Sequence, residues 1–200
     1  MTVQLQANKA LDAQDIERLV QDHQVHRDVY TSQDVYALEM QHLFANVWVF
    51  VGHESQTPKH GDYFTTQIGS QPVIQVRHSD SKIKVLHNRC PHKGTKIAID
   101  RHGNTGTFFR CPYHAWSFET DGRLKAVPLE SGYSNTSFET TENANGIKPV
   151  GAVHNHRGFV FARLADSGIS FDDFFGDSLS SIDNMVCLLY TSDAADDGVG

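Results

Sequence analysis

The hydrophobic pattern changes period near residue 46. Between Thr31 and Phe44 the apolar Tyr36, Met40, Leu43 and Phe44 recur at helical intervals behind a Thr31-x-x-Asp34 capping pattern, which predicts a helix whose stripe packs into the core. A weaker helical signal runs from Leu11 to Val20. From Val47-Trp48-Val49-Phe50-Val51 onward the period shortens to that of strands. Segments 62–68, 71–78 and 82–87 follow, separated by turns at Ile68-Gly69-Ser70 and Asp80-Ser81. Thr107-Phe108-Phe109-Arg110 and Ala115-Trp116-Ser117-Phe118 read as two more short strands, with a flexible turn at residues 102–106 before them and a hairpin signal at Thr120-Asp121-Gly122-Arg123 after them. Residues 130–146 are rich in Ser, Thr, Asn and Glu and predict a long surface loop. Gly158-Phe159-Val160-Phe161-Ala162 is a strand that closes the β region. Residues 171–186 then predict a helix with Phe171, Phe174 and Phe175 in the core. The fold class expected is α+β and mainly β: an antiparallel sandwich or small barrel preceded by helices.

Composition adds little to this and excludes several functions. The chain has 200 residues, 39% hydrophobic and 20% charged, with a mean hydropathy of −0.40. No apolar run reaches the length of a membrane helix, and the start, MTVQLQANKALDAQD, lacks the cationic and apolar regions of a signal peptide. A cytoplasmic protein is expected. Three cysteines cannot build a disulfide framework. The net charge of −7 argues against nucleic acid as a partner, although the balance reverses locally. From Arg89 to Lys125 there are seven cations, Arg89, Lys93, Lys96, Arg101, Arg110, Arg123 and Lys125, against the acids Asp100, Glu119 and Asp121. Scattered charge is usually a solvated surface. The sharper reading is a docking patch for an acidic partner.

That reading comes from the chemistry between the strands. Arg89-Cys90-Pro91-His92-Lys93-Gly94 is answered 18 residues beyond His92 by Arg110-Cys111-Pro112-Tyr113-His114-Ala115-Trp116. Two thiolates and two imidazoles can hold one tetrahedral Zn²⁺, or two sulfide-bridged irons with both cysteines on one and both histidines on the other. Zinc fingers usually pair Cys with Cys on one arm and His with His on the other. Here each arm supplies one of each, which suits a cluster with two different irons. A proline after each cysteine and Gly94 make the loops stiff and tight.

C-x-H followed by C-x-x-H resembles the Rieske motif, and the form here is similar to that of the α subunits of aromatic ring-hydroxylating oxygenases. The similarity runs from about Val25 to about Val186. The resemblance implies a Rieske 2Fe-2S cluster bound by Cys90, His92, Cys111 and His114. Such a centre is formally neutral when oxidised, which eases its reduction. The extra cysteines and the serine of respiratory Rieske proteins are replaced here by Thr95, Tyr113 and Trp116, placing the chain in the lower-potential branch. Tyr113 and Trp116 are expected to cover the cluster with apolar surface at one tip of the β domain.

The family implies more. A ferredoxin or a reductase delivers NADH-derived electrons, and a mononuclear non-heme Fe(II) activates O₂ to hydroxylate an aromatic substrate, in a homotrimer or α3β3 assembly. That iron needs two histidines and a carboxylate. No histidine follows His156, so this chain alone is not expected to hydroxylate. The expected division is a helical segment at 1–45, the Rieske domain at 46–165, the start of a truncated catalytic domain at 166–186, and a tail at 187–200 that resembles a translated sequencing adapter. In that reading Cys187 has no role. The rivals are a stand-alone Rieske ferredoxin, against which the long N-terminal segment counts, and a zinc-binding interaction module. Of the remaining histidines, His154 and His156 form an H-x-H pair with no carboxylate in sight to join them, and His87 sits near enough to Cys90 to compete as a ligand. The others read as surface or satisfied core. No glycine-rich phosphate loop is present for a flavin or nicotinamide.

Overall fold

A computed structural model describes residues 11–138 and 145–196. Parts of the expected N-terminal segment, of the 130–146 loop and of the tail lie outside them.

The N-terminal region is more broken than its periodicity predicts. Asp12 caps a single turn, α1 (Ala13–Glu17), through a reciprocal bond with Asp15, and the chain then enters a hairpin of β1 (Val20–Gln21) and β2 (Gln24–Val25). The second helix starts one residue later than expected. Thr31 ends the short helix α2 (Asp28–Thr31), and Ser32, not Thr31, accepts the Val35 N–H at the head of α3 (Gln33–Leu38). A wider π-type turn follows at Glu39–Leu43 and shifts the apolar stripe. Val35 therefore takes the buried position, whereas Tyr36 and Leu43 are exposed.

Among the described residues the β region consists of three sheets and no closed barrel. β4 (Asp62–Ile68), β5 (Gln71–Arg77) and β6 (Ile83–His87) form a meander that β7 (His102–Asn104) extends on the far side of β4. β8 (Phe108–Arg110), β9 (Ser117–Glu119) and β10 (Leu124–Ala126) make a second sheet. The third joins β3 (Val49–His53) to the hairpin of β11 (Ala152–His156) and β12 (Phe159–Arg163). The meander is the middle layer. Ile74, Val76 and Leu86 share one core with Phe109, Phe118 and Leu124, while Val73 and Val85 share another with Val51, Val160 and Ala162. Residues 73–76 of β5 are consequently buried on both faces. Gln75 is held there by its amide N–H groups, which donate to the His53 carbonyl and Thr57 Oγ1, each at 3.0 Å, while its buried Oε1 has no partner among the described residues.

Residues 102–104 are a paired strand, contrary to the flexible turn expected. Asn104 donates to Asp62 Oδ1 at 2.7 Å and to the His60 carbonyl at 3.0 Å. This amide, more than any other group, holds the Asp62 carboxyl below its ordinary value, and the Lys59 N–H helps. A depressed folded-state pKa adds stability above the unfolded value, and the gain is lost as pH falls below roughly 4. In Asn104→Ala the Asp62 pKa is expected to rise. An unchanged carboxyl titration by NMR would contradict the assignment.

After β12 the chain makes α4 (Phe171–Phe175), breaks at Gly176 with φ +48°, and resumes as α5 (Leu179–Asp196). One continuous helix from 171 to 186 was expected. Phe171 is buried against Trp48 and Phe161 and Phe175 packs on them, but Phe174 is 38% exposed. Among the described residues no helix is long and apolar enough to cross a membrane.

Candidate metal centre

β6 runs into the first Cys/His loop, and β8 runs into the second, which leaves as β9. The two loops are built alike. Cys90 N–H donates to the Thr95 carbonyl and Gly94 N–H to the Cys90 carbonyl. Likewise Cys111 N–H donates to the Trp116 carbonyl and Ala115 N–H to the Cys111 carbonyl, at 2.8–3.0 Å in all four. The fourth residue after each cysteine takes a positive φ, 78° at Gly94 and 60° at Ala115. Glycine accepts this freely, whereas alanine pays roughly 1–2 kcal/mol for it. Such strain persists where the surrounding structure over-determines it.

Asn88 is a residue the sequence reading missed. Its buried side chain accepts from the N–H groups of Ile97 and Ala98 at 2.8 and 3.0 Å and donates to the Ala98 carbonyl at 2.7 Å. It closes the first loop at its base. An asparagine before the motif was the available signal, but the partners lie nine and ten residues on.

The loops set the four predicted ligands in two neighbouring pairs, Cys90 with Cys111 and His92 with His114. Cys90 and Cys111 are 2% and 3% exposed, belong to the core between the sheets, and face each other. Burial, first of all, and then the neighbouring Cys111 push the Cys90 thiol up to about 11, while the N–H groups of His92 and Lys93 directed at its sulfur pull the other way. A thiol so placed is a poor nucleophile at neutral pH. It suits a role in which a metal displaces the proton. The imidazoles lie outward: His92 is partly buried and His114 exposed, with ring centroids 4.6 Å apart. Burial chiefly, with the charges of His114 and Lys93, holds the His92 pKa down, which favours the neutral form a ligand requires.

His92 Nδ1 is buried and has no hydrogen-bond partner among the described residues. Leaving such an atom unmatched costs about 1–3 kcal/mol, a cost removed when the nitrogen binds a metal. The donors also divide into a thiol pair and an imidazole pair. A single tetrahedral ion needs four donors at one point, whereas a two-iron cluster asks only two per iron. The donor set fits the latter.

Trp116, 3% exposed, stacks on His92 with centroids 4.7 Å apart and planes 2° from parallel. Tyr113 lies 3.7 Å from His114 but is 63% exposed, so Trp116 is the inner cover and Tyr113 the outer. Tyr133 and Phe138 pack against Trp116. The start of the predicted surface loop is therefore part of the apolar wall behind His92.

The other candidate histidines have surroundings of their own. His87 ends β6 half-buried, its pKa lowered by burial and by Lys148. His154 stacks on Phe171 at 3.8 Å. His156 does meet a carboxylate, contrary to expectation. Asp183 of α5 lies 2.9 Å from its Nε2 and also accepts from Arg157 at 3.2 Å. Among the cations, Arg123 pairs with Asp121 and Lys125 with Glu119, while Lys93, Lys96 and Arg101 are exposed.

Residues 47–140 match the family model of the Rieske [2Fe-2S] domain. The chain is 33% identical to the benzene 1,2-dioxygenase α subunit of Pseudomonas putida over 187 residues, covering 92% of this chain and 40% of that protein. It is 38% identical to the oxygenase subunit of glycine betaine monooxygenase from Chromohalobacter salexigens, over 76% of this chain and 33% of that one. The crystal structure of naphthalene 1,2-dioxygenase from Rhodococcus sp. superposes with a TM-score of 0.74 at 28% identity, over 85% of this chain and 37% of that one. The chain thus spans 40% or less of the length of these relatives.

Proposed function

For a chain that belongs to the Rieske [2Fe-2S] family and resembles part of the α subunit of ring-hydroxylating oxygenases, we propose the role of electron entry. Cys90 and Cys111 would hold one iron of the cluster, and His92 and His114 the other. The observation that carries this is the buried Nδ1 of His92, without a partner among the described residues, beside the paired cysteines. When bound, the cluster supplies one-electron transfer between an external donor and the mononuclear iron that activates O₂ in the whole oxygenase. The side chains here provide the rest. The cysteines anchor the inner end in the core, Trp116 excludes water from one face of His92, and the exposed His114 marks the edge where a partner approaches closest.

The domain division follows the same reading, with residues 46–165 as the electron-transfer unit and 166–186 as the beginning of the catalytic domain. The substrate class is an aromatic ring, on the benzene 1,2-dioxygenase similarity. The donor is a ferredoxin or reductase, the whole enzyme a trimer of α subunits with or without β, and the compartment the cytoplasm. The decisive experiment is low-temperature EPR of the dithionite-reduced protein, with iron, zinc and acid-labile sulfide assayed on the same sample. A rhombic signal with two irons and two sulfides per chain is expected. One zinc and a silent spectrum would overturn the reading.

Exposed Lys93, Lys96 and Arg101 supply the positive field for an acidic donor. Reversing all three to Glu is expected to slow reduction by about tenfold or more at low salt and to invert its salt dependence. Stopped-flow reduction across ionic strengths reads both, and an unchanged rate with an unchanged slope would remove the patch from the model.

A further inference from the structure

Beside the first ligand loop lies an open cleft of about 440 Å³, lined by Gln71, His87, Arg89, Pro91, Lys93 and Lys148 together with the edges of Cys90, His92, Gly94 and Gly146. Its cations come from two separate parts of the chain, and each is placed by backbone structure. Arg89 and Lys93 ride on the ligand loop. The Arg89 guanidinium lies across Gly94, where a Cβ would stand 3.3 Å from its Nε and 3.4 Å from its Nη2. Lys148 is fixed from the other side, because its carbonyl accepts the His87 N–H at 2.9 Å while Val150 N–H bonds the Val85 carbonyl at 3.0 Å, lacing this segment onto β6. No carboxylate among the described residues lines the cleft. Among the described residues Lys148 pairs with Asp166 at 4.0 Å, and both side chains are largely in water, so this pair holds Lys148 only weakly.

Three cations around a concavity that no acid among the described residues lines leave a positive field. We propose that the cleft is a binding site for a small oxyanion, phosphate or a carboxylate. Arg89 offers its planar fork, Lys93 and Lys148 act as point charges, and the Gln71 amide is a neutral donor at the wall. The site is separate from the exposed Lys96 and Arg101, neither of which lines it.

Occupancy has a consequence next door, since His92 forms part of the wall. A negative charge there disfavours adding an electron nearby and lowers the reduction potential of the centre. That consequence rests on the cluster reading. Binding itself does not.

The test is thermal unfolding of the purified full chain near neutral pH and at constant ionic strength, titrated with sodium phosphate, sodium succinate or sodium chloride. A saturable rise in Tm with phosphate, with succinate, or with both, beyond that with chloride, is expected. Whichever salt gives it identifies the oxyanion. Lys148→Gln and Arg89→Gln are each expected to weaken apparent affinity about tenfold, roughly one charge-assisted contact. Lys96→Gln with Arg101→Gln leaves it unchanged. Should Arg89→Gln fail to fold, Lys148→Gln decides, because Lys148 lies outside both ligand loops. The proposal is overturned if neither oxyanion exceeds chloride, or if Lys148→Gln retains the full rise. Failure of the cluster reading would appear instead in the iron and sulfide assay, with the melting shift untouched.

Discussion

Cys111→Ser is expected to yield a folded but colourless protein, with iron and acid-labile sulfide reduced at least tenfold and the rhombic EPR signal gone. The reason is chemical rather than steric. A serine hydroxyl is nearly the size of a thiol but keeps its proton at neutral pH, and iron in such clusters is held by thiolate. Cys111 sits in the core beside Cys90, with its backbone tied to Trp116, so the loop geometry survives while the ligand does not. A new buried hydroxyl without a partner costs about 1–3 kcal/mol, which a domain of this size tolerates. Circular dichroism separates loss of metal from loss of fold. Cys187→Ser, at an exposed position on α5, serves as the control and keeps its metal. Full iron and sulfide content in Cys111→Ser would sink the ligand assignment.

Trp116→Ala carries the second large effect. The indole is buried among His92, Phe118, Tyr133 and Phe138, and its truncation is expected to cost about 3–5 kcal/mol, lowering Tm by about 10 °C. A second readout identifies what the ring does for the centre. The oxidised cluster is neutral, so reduction creates a charge that water stabilises better than an apolar wall does. Opening that wall raises the midpoint potential. Trp116→Phe retains an aromatic plane against His92 and discards only the indole N–H and part of the volume. It is expected to keep the wild-type potential with a smaller loss of stability. If Phe shifts the potential as far as Ala, a hydrogen bond from the indole matters and apolar cover is the wrong account.

Several features were legible in sequence because their causes are local. Segments 62–68, 71–77 and 83–87 alternate or run apolar between turn residues, and their pairing as neighbours follows from short connections. β7 was not legible. His102-Gly103-Asn104 has no apolar pattern, and it is a strand because β4 offers an edge and Asn104 a bond to Asp62. The sequence pattern put the helix cap at Thr31, and only the preceding turn of helix, which takes Thr31, leaves Ser32 to cap. Asp183 reaches His156 across 27 residues, and Asn88 reaches Ile97 and Ala98 across a loop. No window along the chain displays either contact.

At the centre itself the division is sharper. Residue type and spacing alone determined the chemistry on offer: two thiols and two imidazoles on matched Cys-Pro loops, each with one of either kind, because donor identity and loop length are covalent properties of the chain. Tertiary structure alone decided how those donors divide, with the cysteines drawn into the core and the histidines left toward solvent, and with Trp116, Tyr133 and Phe138 closing one side. It also decided that Lys148 should stand opposite Arg89 and Lys93. Burial and the field of distant charges depend on which segments are packed side by side, and that is settled only when the sheets are stacked.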